Sequence, residues 1–374
     1  MNGIEILFWT LISLLGLVYG GYYALCMYVS RSKTHNFKNK LKPKPKVSIV
    51  IATWNEERTI GGRLKDLKKL KYPKNKLEII VIDSGSTDKT RQIVKKFHGI
   101  KLITERKRNG KANALNKVFK HCKGDIVIIS DSDCRWDKNI LMKALPYFNN
   151  PSVGAITGRE KIINPKENIA TGIEKTYRSF FYVLRDGESK IDSTFIFDGP
   201  FCAFRRQLIG KIFSDSVADD SELALRVRSK GYRILSIPEA KYYEYAPNKL
   251  SDRTKQKYRR AQGLIQIMFR FFSTFFMNPK YGLFGLLIFP VEFFLHVISP
   301  FLIVVTIVMI PLLPLNTVFF VIIGMFLAVL IEKSRSFMFT FLHSQYSCLK
   351  GMFTYLTKGS SHSWEKVQGT RRYR

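Results

Sequence analysis

Two aspartates stand two positions apart directly after an apolar run of the sequence. The run DIVIIS occupies positions 125–130, and Asp131 and Asp133 follow it. Carboxylate oxygens are hard ligands that suit Mg²⁺ or Mn²⁺, and such a cation can bridge to a diphosphate. An acidic surface turn is the alternative, because this spacing also occurs by chance. The position at the end of a predicted buried strand favours a metal site formed by the two aspartates.

Polar residues also follow the first two apolar runs of the chain. Thr53, Asn55 and Glu56 come after the first run, and Asp83 ends the second. Such side chains can accept hydrogen bonds from the base and ribose of a nucleotide. Helix capping is the alternative, for which Asn55 is well suited. Capping explains each residue taken alone, so the nucleotide hypothesis depends on the other motifs.

Lys111 begins a predicted helix after the basic loop ERKRNGK. A helix N-terminus that carries a lysine is a natural site for an anion, although a simple helix cap would have the same sequence. The segment is not a P-loop, because the G-x-x-x-x-G-K-[ST] spacing is absent. We therefore expect Lys111 to lie near a phosphate group.

Short apolar runs alternate with lysine-rich amphipathic segments in the first half of the chain. The runs are β-branched and nearly continuous, which is typical of strands buried on both faces of a sheet. The alternation predicts an α/β fold with a doubly wound, mostly parallel sheet, in which ligands bind beyond the carboxyl ends of the strands. The predicted strands are 47–52, 77–83, 100–105, 125–130 and 153–157, and the predicted helices lie near 57–70, 87–97 and 111–121.

The composition excludes several classes of protein. The 374 residues include 61 Lys and Arg against 29 Asp and Glu, a net charge of +32, yet 46% of the residues are hydrophobic. That fraction is too high for a disordered basic tail. The five cysteines contain no C-x-x-C pair, so neither a zinc ribbon nor a disulfide framework is expected. The basic residues flank apolar segments and no nucleic-acid-binding signature is present, so nucleic acid is not an expected partner.

Long apolar segments predict an association with the plasma membrane. Residues 6–30 contain no charged residue, and about 20 apolar residues suffice to cross a bilayer. The basic segment that follows predicts a cytoplasmic location for the next domain, an outside N-terminus and contact with anionic lipid headgroups. The predicted organisation is a transmembrane helix at 1–30, a basic linker at 31–46, a cytoplasmic α/β domain at 47–263, an interfacial amphipathic helix at 264–280, two transmembrane helices within 281–333, and an interfacial helix with a basic tail at 334–374.

The motifs together resemble family 2 of the nucleotide-sugar glycosyltransferases, which have the GT-A fold. The resemblance runs from about 47 to 263 and includes TWNEE, GKANALN, the Asp131/Asp133 pair, DGPFCAFRR, ADDSELALRVRSKGYRI and QKYRRAQG. The order of transmembrane and cytoplasmic segments is similar to that of the membrane polysaccharide synthases, including the poly-N-acetylglucosamine, hyaluronan and cellulose types. The resemblance therefore implies a GT-A domain combined with transmembrane helices.

The resemblance also implies roles for individual residues. An acidic element of the family falls on Asp219 and Asp220, which makes Asp220 the candidate general base, whereas a helix cap ahead of SELALRV is the alternative. The donor nucleotide would contact Thr53, Asn55, Glu56, Asp83, Lys111 and Asp131, and the Mg²⁺ or Mn²⁺ cofactor would be held by Asp131 and Asp133.

The family's Gln-x-x-Arg-Trp element falls on Gln256, Arg259 and Arg260, and the resemblance assigns these residues to the diphosphate or the acceptor. The sequence departs from the family twice, since Arg260 replaces the tryptophan and Ser84 replaces a common second aspartate. A guanidinium does not provide the apolar stack that tryptophan gives a sugar ring. The question of whether the protein synthesises a polymer or transfers a single sugar therefore stays open.

The implied activity is the inverting transfer of a sugar from a nucleotide sugar, with UDP-sugar favoured by the resemblance, to a hydroxyl of a glycan or a lipid-linked saccharide. Transfer to a polyprenyl phosphate is an alternative. A non-enzymatic transporter or channel is an alternative of another class, because Glu292 and His296 lie four residues apart in a predicted span. A pair of side chains that simply bond to each other would give the same pattern.

Overall fold

The computed structural model describes residues 2–32 and 44–358, so most of the predicted linker and the tail beyond 358 lie outside the described residues. The strands are β1 Val47–Thr53, β2 Leu77–Ser84, β3 Ile100–Glu105, β4 Ile126–Ser130, β5 Arg135–Trp136, β6 Val153–Ile162, β7 Cys202–Arg205 and β8 Arg233–Glu244. The helices are α1 Gly3–Gly16, α2 Tyr22–Ser32, α3 Ile60–Lys68, α4 Thr90–Lys95, α5 Lys111–Phe119, α6 Ile140–Ala144, α7 Ile169–Ile191, α8 Asp219–Ser229, α9 Leu250–Phe275, α10 Phe289–Phe293, α11 Ser299–Met309, α12 Leu315–Leu330 and α13 Glu332–Lys358.

The strands form one sheet in the order β3-β2-β1-β4-β7-β6-β8-β5. Strands β1 to β4 are parallel neighbours, as the alternating sequence pattern predicts. The other half of the sheet is mixed, because β7 runs antiparallel to both β4 and β6 while β6 and β8 are parallel. The predicted α/β fold is therefore confirmed, and β5, β7 and β8 are the strands that the sequence pattern does not predict.

The central strands are buried on both faces. Ile49 and Ile51 of β1 pack into one hydrophobic core, and Val50 between them packs into the core on the opposite face. Because successive side chains of a strand point to opposite faces, a nearly continuous apolar run is needed to fill both cores. This explains why these runs predicted β1 to β4 within a residue or two.

Helix α9 is continuous across the predicted boundary at residue 263. It runs from Leu250 to Phe275, so the transferase motif QKYRRAQG and the apolar segment from 264 belong to one helix. A Cβ at Gly263 would lie 3.1 Å from the Cβ of Ala218, which precedes α8. Gly263 therefore permits α9 to pack closely against the start of α8, and the helix does not end there. Helix α13 packs along α9.

Two helices of the described chain, Gly3–Ser32 and Phe284–Leu312, are long and apolar enough to cross a membrane by length and composition. They coincide with two of the three predicted spans. The third span, predicted at about 316–331 within the 281–333 region, overlaps α12, which has 16 residues. It stays a prediction.

Candidate active site

The candidate site lies at the carboxyl ends of the two central strands. Strands β1 and β4 are parallel neighbours with Ile51 opposite Ser130, so the residues that follow them lie side by side. Thr53 is the last residue of β1, and Asp131 follows β4 directly. Both residues line a cavity of about 1620 Å³. The fold thus brings together polar residues that are almost 80 positions apart in the sequence.

Lys111 forms ion pairs with carboxylates from two distant parts of the chain. It is the first residue of α5, and its Nζ lies 3.1 Å from Asp131 Oδ1 and 3.4 Å from Asp219 Oδ2. Burial opposes the charge of Lys111. The surrounding carboxylates, with Asp220 among them, outweigh burial and raise the pKa of Lys111 well above its usual value. The lysine is therefore a fixed cation at the centre of an acidic site.

Asp220 differs from its neighbour because it has no ion pair among the described residues. Its Oδ1 accepts a hydrogen bond of 2.7 Å from the backbone N–H of Ser221. Burial, followed by the charge of Asp219, raises the pKa of Asp220 to about 7. A carboxyl group with a pKa near neutrality can accept a proton during a reaction at neutral pH and release it afterwards.

Gly199 lies against the centre of this acidic site. A Cβ at this position would be 3.0 Å from Asp131 Oδ2, 3.4 Å from Asp220 Oδ2 and 3.4 Å from Lys111 Nζ. The absence of a side chain at Gly199 leaves the space between the two carboxylates open. Gly199 belongs to the motif DGPFCAFRR, but the sequence alone does not show that it lies close to the acidic residues.

Three carboxylates can hold a cation. Ligand atoms of Asp131, Asp133 and Glu244 all lie within 4.8 Å of one another. Burial, followed by the charge of Glu160, raises the pKa of Glu244 well above its usual value, and the two aspartates add to the effect. Closely spaced carboxylate oxygens are the hard ligands that Mg²⁺ and Mn²⁺ prefer, and a divalent cation would offset their repulsion. The donor set therefore fits the predicted metal.

Glu244 was missed by the sequence analysis. It is the last residue of β8, more than 100 positions after Asp133, and it ends a strand whose other residues gave no functional signal. Trp54 was also missed as a candidate binding residue. Its ring lies 3.8 Å from the Arg108 guanidinium carbon, and both residues line the cavity beside Thr53.

The three residues that the resemblance assigns to the diphosphate or the acceptor lie on α9 and also line the cavity. Gln256, Arg259 and Arg260 are all part of its wall. Arg260 lies 3.5 Å from Glu174 Oε1, whereas Arg259 has neither an ion pair nor a side-chain hydrogen bond among the described residues. An unpaired guanidinium that faces a cavity is suited to binding a phosphate group.

Two of the predicted nucleotide-binding residues lie away from the cavity wall. Asp83 is fully buried, pairs with Arg91 and accepts a hydrogen bond from the backbone of Ser86. Asn55 has a positive φ of 52° and bonds to the loop that follows β2. Glu56 does line the cavity, although its carboxylate accepts a hydrogen bond from Thr59. Asp83 and Asn55 therefore hold the loop that shapes this edge of the site.

Glu292 and His296, the pair that suggested a transporter, contact each other. His296 Nδ1 lies 3.2 Å from Glu292 Oε2, and Glu292 is 3% exposed. His296 Nδ1 also lies 2.9 Å from the backbone oxygen of Glu292, so contacts within one helix account for the pair without a transported ion.

The mixed sheet with an acidic and metal-compatible edge is typical of the GT-A fold, and comparisons with known proteins agree. Residues 48–213 match the family described as glycosyl transferase family 2. The chain is 32% identical over 272 residues to the probable glycosyltransferase YdaM of Bacillus subtilis (69% of this chain, 65% of the relative). It is 29% identical over 258 residues to the poly-beta-1,6-N-acetyl-D-glucosamine synthase of Staphylococcus aureus (64% of this chain, 62% of the relative).

A solved structure gives the same answer for the fold. The mannosyltransferase PcManGT of Pyrobaculum calidifontis, solved in complex with GDP-Man and Mn²⁺, superimposes with a TM-score of 0.78 at 27% identity. The match covers 93% of this chain and 98% of that one. The chain spans just under two thirds of the length of the curated relatives above. Residues 48–213 thus form a domain that matches glycosyl transferase family 2, and the chain has the GT-A fold that the sequence predicts.

Proposed function

We propose that this protein is a membrane-bound, metal-dependent, inverting glycosyltransferase that moves a sugar from a nucleoside diphosphate to a hydroxyl group of an acceptor. One observation carries the proposal. Lys111, Asp131 and Asp220 converge around Gly199, at the wall of a single large cavity. The arrangement combines a proton acceptor with groups that bind a diphosphate.

The proposed reaction is a single displacement at the anomeric carbon. The acceptor oxygen forms a bond to that carbon while its proton passes to the Asp220 carboxylate, and the bond from the carbon to the diphosphate oxygen breaks. Lys111 and Arg259 bind the departing diphosphate, whose negative charge grows during the reaction. A bound Mg²⁺ or Mn²⁺ held by Asp131, Asp133 and Glu244 would supply further charge neutralisation. The Mn²⁺ bound by the related mannosyltransferase supports this cofactor.

The proposed location is the membrane, with the helices Gly3–Ser32 and Phe284–Leu312 as its anchors and the catalytic domain on the cytoplasmic side. Their length and apolar composition support this proposal. The donor nucleotide is to be found by assay, because the poly-N-acetylglucosamine synthases and the GDP-Man-bound mannosyltransferase act with different sugars. A panel of UDP- and GDP-sugars, read by release of the nucleoside diphosphate with and without Mn²⁺, tests both the donor and the metal.

The substitution Asp220→Asn tests the assigned base. We expect it to abolish sugar transfer while the purified protein still binds nucleoside diphosphate and Mn²⁺ in calorimetry, because the amide cannot accept the proton. Asp252→Asn is the control, since Asp252 lies on α9 outside the cavity wall and its loss should leave transfer unchanged. Transfer retained by Asp220→Asn would remove Asp220 from the role of base.

Transfer to a polyprenyl phosphate is a second candidate, favoured by the cluster of basic residues on α9 at the cavity wall. A phosphate acceptor is already anionic near neutral pH and needs little help from a base. It therefore predicts a small effect of Asp220→Asn and a lipid product from which mild acid releases the sugar. Transfer to a hydroxyl predicts loss of activity and a product that is stable to mild acid.

A further inference from the structure

The segment that precedes the proposed base has no regular structure. Residues 214–218 form neither a helix nor a strand, and α8 begins directly after them at Asp219. We call these residues the α8 entry loop. An irregular segment needs hydrogen-bond partners from elsewhere, because its backbone lacks the repeating bonds of a helix or a sheet. The position of the Asp220 carboxylate therefore depends on the groups that hold this loop.

Gln266 on α9 binds the backbone of the α8 entry loop at two points. Its Oε1 accepts a hydrogen bond of 2.9 Å from the backbone N–H of Val217, and its Nε2 donates one of 2.9 Å to the backbone oxygen of Asp215. The Gln266 side chain is fully buried and is not part of the described cavity wall. Two hydrogen bonds from one buried amide fix both the position and the orientation of the loop backbone.

Two further residues of α9 contact the loop and the start of α8. Arg270 pairs with Asp215 of the loop, and its Nη1 lies 3.3 Å from Glu222 Oε2 on α8. Gly263 permits the close approach of α9 to Ala218. The two positions lie three residues before and four residues after the glutamine, so all three share one face of the helix. This face of α9 therefore holds the loop over roughly two helical turns.

The same helix also carries residues of the proposed diphosphate site. Gln256 and Arg259 line the cavity from the N-terminal half of α9, and the helix is continuous from there to Arg270. A continuous helix transmits position along its length, because each turn is hydrogen-bonded to the next. The distance between Arg259 and the α8 entry loop is thus set by one rigid element.

We infer that Gln266 is a positioning residue, which holds the α8 entry loop so that the Asp220 carboxylate stays at a fixed place relative to Arg259. The inference rests on the proposed function, in which Asp220 is the general base. Gln266 does not touch the substrate and acts only through the loop. A misplacement of ~1 Å at a reacting group can cost ~10²-fold in rate, so small shifts of the loop matter.

The substitution Gln266→Met tests this role, because methionine keeps the length of the side chain but forms neither hydrogen bond. Two properties of the purified full chain in detergent are measured, the hydrogen exchange of the Val217 amide and the kinetics of sugar transfer. We expect the exchange to become roughly 2- to 10-fold faster, since the amide loses its partner. We expect kcat to fall roughly 10- to 100-fold, while KM for the nucleotide sugar stays near the wild-type value.

Phe275→Leu is the matched control for a general loss of stability. Phe275 is fully buried on the same helix, and its ring packs on the aromatic rings of Tyr281, Phe284 and Phe289. This variant should lower the unfolding temperature but leave both kcat and the exchange of the Val217 amide unchanged. A fall of kcat equal to that of Gln266→Met would mean that any loss of packing on α9 slows transfer, and would overturn the inference.

Asp215→Asn is a second test that leaves the buried amide of Gln266 in place. The Asp215 side chain is 38% exposed, so the variant should fold readily, and it loses the ion pair with Arg270. Because the backbone hydrogen bonds of the loop remain, kcat should fall by a smaller factor than in Gln266→Met, again without a change in KM. This variant provides the kinetic test even if Gln266→Met does not fold.

Wild-type kcat in Gln266→Met and Asp215→Asn, with Asp220→Asn inactive, would overturn the inference and leave the proposed function intact. Unchanged exchange of the Val217 amide in Gln266→Met would overturn it as well. Failure of the proposed function would look different, because Asp220→Asn would then transfer sugar at the wild-type rate while the amide still exchanged faster in Gln266→Met.

Discussion

Two groups of charged residues line the cavity of this protein, and they are balanced differently. The first is the acidic site, in which Asp131, Asp219 and Asp220 surround Lys111. The second group, which we call the arginine network, consists of Glu174 and Asp198 with Arg178, Arg185 and Arg253. Carboxylates are in excess in the first group and arginines in the second.

The pKa of Asp220 in the acidic site and those of Glu174 and Asp198 in the arginine network shift in opposite directions. Burial by itself would raise the pKa of Glu174, but Arg178, Arg260 and Arg253 outweigh it and lower this pKa to about 2. Asp198, held by Arg185, also has a pKa lowered to about 2. In the acidic site burial and Asp219 raise the pKa of Asp220 to about 7. Both carboxylates of the arginine network are paired with arginines of the chain, whereas the acidic site has more carboxylates than Lys111 can pair with.

The largest effect on folding is expected from Glu174→Gln. Removing this carboxylate leaves Arg253 as a buried charge without its partner, which typically costs about 3–5 kcal/mol of unfolding free energy, whereas Arg178 keeps Glu160 and Asp198. The folded pKa of about 2 is below the unfolded value of about 4.3. The stabilisation by Glu174 is thus present above about pH 4 and lost as the pH falls toward 2. Thermal unfolding of the purified chain across this range checks the prediction.

Glu167→Gln is the control for this measurement, because Glu167 forms exposed hydrogen bonds to Asn164 and Asn248 just before α7. It should change stability by no more than about 0.5 kcal/mol. If Glu174→Gln unfolded at the wild-type temperature at pH 7, the arginine network would not be the structural element described above.

The sequence predicted the parallel half of the sheet because each of its strands is an apolar run bounded by polar residues. It did not predict β7, which has only four residues and pairs antiparallel between β4 and β6. The predicted boundary at 263 relied on the change from a charged to an apolar segment. The helix continues there because hydrogen bonding along α9 does not depend on which side chains it carries, and Gly263 packs against Ala218.

Site residues that belong to a sequence motif were predicted. Residues that reach the site only through the folding of distant segments were missed. Asp131, Lys111 and Asp220 came from three separate motifs, and the structure brings them together. Glu244 had no motif, because its closeness to Asp133 depends on where β8 ends in the sheet. Asp83 is held inside the loop by an ion pair with Arg91, and the sequence alone does not predict this pair.

A smaller effect, on metal binding, is expected from Glu244→Gln. Loss of one of three carboxylate donors should weaken Mn²⁺ binding at least about tenfold, as measured by electron paramagnetic resonance of free Mn²⁺. Glu239→Gln is the matched control, since Glu239 lies on the same strand and bonds to the Tyr147 hydroxyl instead. Equal Mn²⁺ affinity in wild type and Glu244→Gln would exclude Glu244 from the donor set and leave the two aspartates.

The smallest effect, a gain of a few degrees in unfolding temperature, is expected for Asp220→Asn at pH 8 in the presence of a chelator. The folded pKa of about 7 is above the unfolded value of about 3.9, so the folded state binds the proton more tightly. Stability is therefore lost as the pH rises from about 4 through 7, and the amide removes that loss. At pH 4 the variant and the wild type should unfold at the same temperature.

The substitution Asp198→Asn in the arginine network should change the unfolding temperature in the opposite direction under the same conditions. Its carboxylate is held by Arg185 and has a lowered pKa, so the amide should reduce stability at pH 8. Two aspartates in the wall of one cavity, with different charges around them, would then respond to one substitution in opposite directions. Destabilisation by Asp220→Asn at pH 8 would mean that the acidic site is balanced within the chain and that Asp220 has a structural role. Stabilisation would agree with a carboxylate kept at a cost to folding because the reaction uses it.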